Sequence, residues 1–153
     1  MNTLQRANIS GGLASVAIAL TLAVLARREG KRALQPINAT SHWLHGKPAG
    51  RVRKADASHT LVGYLTHHAS AVFWAYLFER WLGRRRRGIL AVVPRAAAMS
   101  GIAAAVDYGV VPRRLTPGWE HVVSNRSLKT AYVVMGLALA AGALLQGQSG
   151  KPR

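Results

Sequence analysis

Six histidines and a few carboxylates are the side chains best suited to chemistry in this chain. His42 and His45 lie three apart in SHWLH, His59 opens an apolar run, His67 and His68 sit side by side inside it, and His121 follows Glu120. Asp107 lies near the end of a second apolar run. Neutral imidazoles and carboxylates can ligate a metal ion or a haem iron, and the same groups can relay protons. There is no cysteine, which excludes disulfides, thiolate nucleophiles and Cys-ligated metals. Neither an HExxH-type ligand motif nor a nucleophile–base–orienter set is visible, so the reading leans away from an enzyme.

These groups must be positioned by four apolar stretches, at residues 9–26, 58–82, 88–111 and 130–146. At 1.5 Å per residue the first reaches roughly 27 Å, close to the hydrocarbon thickness of a bilayer. In lipid each stretch must satisfy its own backbone hydrogen bonds, so all four are expected to be helices. The expected fold class is all-α: an integral membrane four-helix bundle, one domain over residues 1–153. Residues 24–26 (VLA) pass loosely as a signal-peptide cleavage site, but the basic ARREGKR that follows favours an uncleaved anchor.

The charge pattern agrees. Half of the residues are hydrophobic, yet the formal net charge is +16, concentrated in the connections. A groove-reading nucleic-acid binder would line one face with its basic residues. Here Arg84, Arg85, Arg86 and Arg87 abut an apolar run, as charges that meet anionic lipid headgroups do. Four spans put both termini on one side. The 1–2 and 3–4 connections carry more lysine and arginine than the terminal side, which places the connections in the cytoplasm and the termini in the periplasm.

Small residues at spacing four mark expected packing faces. They are Gly11, Ser15, Ala19 and Ala23 in the first span, and Ala97, Gly101, Ala105 and Gly109 in the third. The fourth carries Gly136 with Ala140 and Ala138 with Gly142. The second span has the row His59, Gly63, His67, Ala71, Ala75 and Glu79. That row places His67 toward the bundle interior, roughly 12 Å below the connection side, and His68 about 100° away. Asp107, on the oppositely directed third span, lies a few residues from the same side. His42, His45, His59, His67, Asp107 and His121 are therefore the expected polar site, near one membrane face. Three roles stay open: structural hydrogen bonding, with Asp107 paired to Arg113 or Arg114; a metal or haem site; and a proton or ion relay. On the terminal side, Glu79 and Arg95 lie at comparable depth and are expected to form a structural ion pair, with Pro94 freeing a carbonyl nearby.

The connections carry turn signals. Pro117-Gly118 predicts a tight turn and makes the third and fourth spans antiparallel neighbours. The longer 1–2 connection is expected to cap the bundle, with SHWLH as a short helix. Trp43, Trp81 and Trp119 suit the aromatic belts, and Trp74 lies deeper. Asn38 opens a glycosylation sequon, NAT, which is empty for a bacterial or cytoplasmic placement.

Three segments, PINATSHWLHG, HTLVGYLTHHASAVFWAYLFER and VDYGVVPRRLTPGWEH, resemble a group of uncharacterised small bacterial inner-membrane proteins. The resemblance implies four spans and supplies no activity. Together these features point to a non-enzymatic accessory, binding or transport-type membrane protein, alone or with a protein partner or further copies of itself. The alternative is a haem- or metal-binding protein with a redox or enzymatic role.

Overall fold

The computed structural model describes residues 1–83 and 88–148, so the arginine run Arg84–Arg87 lies outside the described residues. The chain is all-α, with no strand among the described residues. Helix α1 (Thr3–Arg28) begins earlier than hydropathy predicts, because Asn2 and Gln5 form a reciprocal capping box with bonds of 2.8 and 2.9 Å. Two short helices, α2 (Gln35–Thr40) and α3 (His42–His45), and a 3₁₀ turn, Lys47–Arg51, build the first connection. A π turn at Ala57–Leu61 leads into α4 (Val62–Leu82). Helix α5 (Ile89–Gly109), a 3₁₀ turn at Trp119–His121 and α6 (Asn125–Gln148) complete the chain.

Helices α1, α5 and α6 are long and apolar enough to cross a membrane, as in a multi-pass membrane protein. Helix α4 has the length but not the composition, since Thr66, His67, His68, Ser70 and Glu79 dilute its apolar residues. The four-span expectation is therefore met by three helices on composition alone.

Helix α1 is the packing hub, lying antiparallel against both α4 and α6, while α5 packs on α6. Small residues make these approaches close, which is how helices associate where lipid removes the hydrophobic drive. A Cβ on Gly11 would sit 2.7 Å from Val72 Cα on α4, and one on Gly142 would sit 2.8 Å from Ser10 Cα on α1. Gly136 notches α6 where Ala96 and Ser100 of α5 approach. Of the expected row, Gly63, His67, Ala71, Ala75 and Glu79 are buried, whereas His59 at its start is half-buried.

The α5 row is a correction. Ala97, Gly101, Ala105 and Gly109 are exposed, and nothing lies within 4 Å of where a Cβ on Gly101 or Gly109 would be. The buried face is Val92, Ala96, Met99, Ser100 and Ala103. It carries small residues as well as larger apolar ones, so it can fill the space beside α6 that an all-small row would leave void.

At one end the two connections close over the bundle. A Cβ on Gly63 would come 2.0 Å from Ile37 O, so α2 lies directly on α4. Asn38 is fully buried, and its Nδ2 donates to Val52 O (2.9 Å) and Lys54 O (3.2 Å), which also removes the sequon from any glycosylating enzyme. Glu29, just past α1, accepts from the Ser124 amide (2.9 Å) and hydroxyl (2.7 Å) and from Ser127 Oγ (2.5 Å), capping the start of α6. These hydroxyl bonds hold the Glu29 carboxyl below its ordinary range.

Candidate functional site

The polar side chains divide into three groups at the capped end, and only part of the expected set converges. The first lines a cavity of about 290 Å³ beneath the cap. Its walls include His67, Ser70 and Trp74 from α4, Asp107 from α5, Tyr132 from α6, and Trp43 and Trp119 from the connections. Helical spacing places His67 and Trp74 on the inner side of α4, where both are buried. His67 Nε2 lies 2.9 Å from Ser15 O on α1. A carbonyl only accepts, so Nε2 carries the proton in this bond and the other ring nitrogen is left as a lone-pair acceptor. Across the cavity, Tyr132 donates its hydroxyl proton to Asp107 Oδ2 at 2.7 Å. Trp119 links the two sides: its ring lies 5.7 Å from His67 and 6.0 Å from Tyr132. Its Nε1 donates to Thr40 Oγ1 at 3.1 Å.

Trp119 is 5% exposed and so belongs to the interior, not to an aromatic belt. Trp43 and Trp81 keep exposed ring surface, and Trp43 Nε1 donates to Thr66 Oγ1. Asp107 is satisfied by Tyr132, and among the described residues it forms no ion pair with Arg113 or Arg114. Arg114 instead donates to Trp43 O at 2.9 Å.

The second group joins the connections. His42 is buried, with Nδ1 3.1 Å from Ala39 O and Nε2 3.1 Å from Arg113 O. Its ring lies edge-on to His121 at 5.3 Å. Glu120 accepts from Thr116 Oγ1 and, at 3.3 Å, from the Tyr108 hydroxyl. Gly118 makes this junction sterically feasible: its φ is +83°, and a Cβ there would lie 2.4 Å from Ala39 O and 2.7 Å from His42 Nδ1. Glu120 was outside the expected site, because nothing local in the sequence pairs it with His42.

The third group lies at the surface, with His45 exposed and His59 half-buried. The His45 ring meets that of His59 at 4.5 Å, tilted by 39°, and its Nε2 lies 3.0 Å from Ser58 O. His59 Nδ1 lies 3.0 Å from Asp56 Oδ2, and its backbone amide donates to Asp56 Oδ1 at 2.6 Å. That amide holds the Asp56 carboxyl below its ordinary range. His42 and His45, expected to share a face, therefore diverge: α3 is a single turn, and one ring turns inward while the other turns out.

The Glu79–Arg95 pair does not form among the described residues. Glu79 is buried against α1 and accepts from Ser10 Oγ at 2.8 Å. Arg95 bends back along α5 and donates to Ala91 O at 2.9 Å, beside the Pro94 interruption. The physical reason is that α4 packs mainly on α1 and much less on α5. His68 is half-buried beside Tyr64, and its Nδ1 has no hydrogen-bond partner among the described residues.

The chain matches no known protein family, no characterised protein and no solved structure.

Proposed function

We propose that the chain is a four-helix bundle of the bacterial inner membrane that binds or carries a small molecule in the cavity beneath its cap. The observation that carries this reading is that His67 and Asp107, from different helices, line one cavity walled by three tryptophans. Its volume of about 290 Å³ suits a small ligand. Both polar poles can accept, since His67 has committed its N–H to Ser15 O and Asp107 already accepts from the Tyr132 hydroxyl. The matching ligand offers hydrogen-bond donors or positive charge, and an apolar body that sits against aromatic faces. A small organic amine or ammonium ion has that chemistry.

Helix α4 counts as the fourth span in this reading, because it runs alongside α1 and turns His67 and Glu79 inward, leaving Leu65 and Phe73 outward. The excess of Lys and Arg in the connections favours the capped end in the cytoplasm, facing anionic headgroups, and both chain ends in the periplasm.

Tryptophan emission tests the binding directly, because Trp43, Trp74 and Trp119 line the cavity. The protein in mild detergent is titrated with a panel of aromatic and alkyl amines and their uncharged isosteres. The expected result is a saturable shift with amines, weakened about tenfold or more in Asp107→Asn. Equal response to amines and neutral isosteres, or no response with no uptake into proteoliposomes, overturns the reading.

A further inference from the structure

Outside the cavity, the second polar group has the make-up of a metal centre. We propose that His42, Glu120 and His121 form a binding site for a divalent transition ion that clasps the two connections together. One donor atom from each of the three lies within 4.8 Å of the others. His121 Nε2 and Glu120 Oε1 are 3.9 Å apart. A tetrahedral Zn²⁺ with bonds near 2.0–2.1 Å asks for donors roughly 3.3 Å apart. Small movements of Glu120 and His121, both partly exposed on a 3₁₀ turn, close the difference.

The surroundings favour ligation over a chance cluster. A ligating histidine characteristically donates its other ring N–H to a backbone carbonyl, and a ligating carboxylate is itself hydrogen-bonded. His42 has a carbonyl at each ring nitrogen, Ala39 O and Arg113 O, both at 3.1 Å. A neutral ring donates to only one of them, so ligation through the second nitrogen requires the carbonyl facing it to turn aside and make room for the ion. Glu120 is oriented by Thr116 Oγ1 and the Tyr108 hydroxyl. Two imidazoles and one carboxylate, with a fourth position open, suit Zn²⁺, Ni²⁺, Co²⁺ or Cu²⁺ and not Mg²⁺ or Ca²⁺, which prefer all-oxygen shells.

The ion joins positions far apart in sequence, one on each connection. Its binding therefore stabilises the closed cap by mass action. The site is distinct from the cavity, whose His67 and Asp107 take no part.

The test uses the full chain, purified in mild detergent without a polyhistidine tag and stripped with a chelator. Zn²⁺ alone is titrated against a chromophoric competitor, with thermal unfolding in parallel. One ion per chain is expected, with a rise in Tm. His121→Ala and Glu120→Gln, both at partly exposed positions, should each lose affinity about tenfold or more and lose the Tm rise. His59→Ala, in the surface group, should bind as the parent does. Parent-like Zn²⁺ binding in His121→Ala, loss in His59→Ala instead, or no stoichiometric binding by the parent overturns the proposal.

Discussion

At the scale of the residue, neighbouring histidines differ because one faces a helix backbone and the other does not. His67 is buried and bonded to Ser15 O, whereas His68 is half-buried, its Nδ1 without a partner among the described residues. His67→Ala should lower stability in mixed micelles by about 1–2 kcal/mol, the sum of a modest membrane hydrogen bond and lost contacts. His68→Ala should be close to neutral. Equal losses in a denaturant titration would contradict the assignment. Glu29 gives a pH prediction. Its folded carboxyl is held below the ordinary 4.5. Its contribution is therefore complete above that value and fades as pH falls through the lower, folded one. Glu29→Gln should lose stability at neutral pH and show a shallower decline in acid, measured by unfolding from pH 7 to pH 3.

At the scale of the element, glycines separate contact faces from outward ones. Gly63→Ala would force a Cβ into Ile37 O, so α2 should lift off α4, with a loss of several kcal/mol and an exposed cap. Gly101→Ala meets nothing and should be neutral or stabilising by up to about 1 kcal/mol, through helix propensity. Comparing unfolding midpoints of the two variants checks both. The same contrast explains what could be foreseen from sequence. The α4 row was legible because its small and polar residues follow one periodicity and its other face is bulky. The α5 face was not, because small residues recur on two adjacent faces and the choice between them is made by packing on α6, which the α5 sequence does not carry. Helix starts were missed where polar caps, Asn2 with Gln5 and Glu29 with Ser124, extend a helix beyond its apolar stretch. Depth along antiparallel helices put His67 and Asp107 in the same half of the bundle, and that both line one cavity comes from the packing of α4, α5 and α6. The meeting of His42 with Glu120 and His121 did not, because irregular connections carry no period from which distance can be read.

At the scale of the whole molecule, the helices alternate in direction, so Arg6 and Gln146 meet at one end and Glu29 and Ser124 at the other. Because the chain lacks cysteine, single introduced cysteines report their own side of the membrane. Asn2→Cys and Gly147→Cys should react with an impermeant maleimide from one side, and Arg51→Cys only after the membrane is opened. Labelling of all three from the same side would rule out the four-span reading. The hub position of α1 also has a consequence in time. Helix α1 is made before α6 and closes against it, through Ser10 with Gly142 and Glu29 with Ser124 and Ser127. Until α6 is synthesised, the inner face of α1 toward it stays uncovered and Glu29 has no hydroxyls to cap. A chain halted after α5 should therefore remain half-assembled, with that face of α1 uncovered, and should be recognised by quality-control proteases.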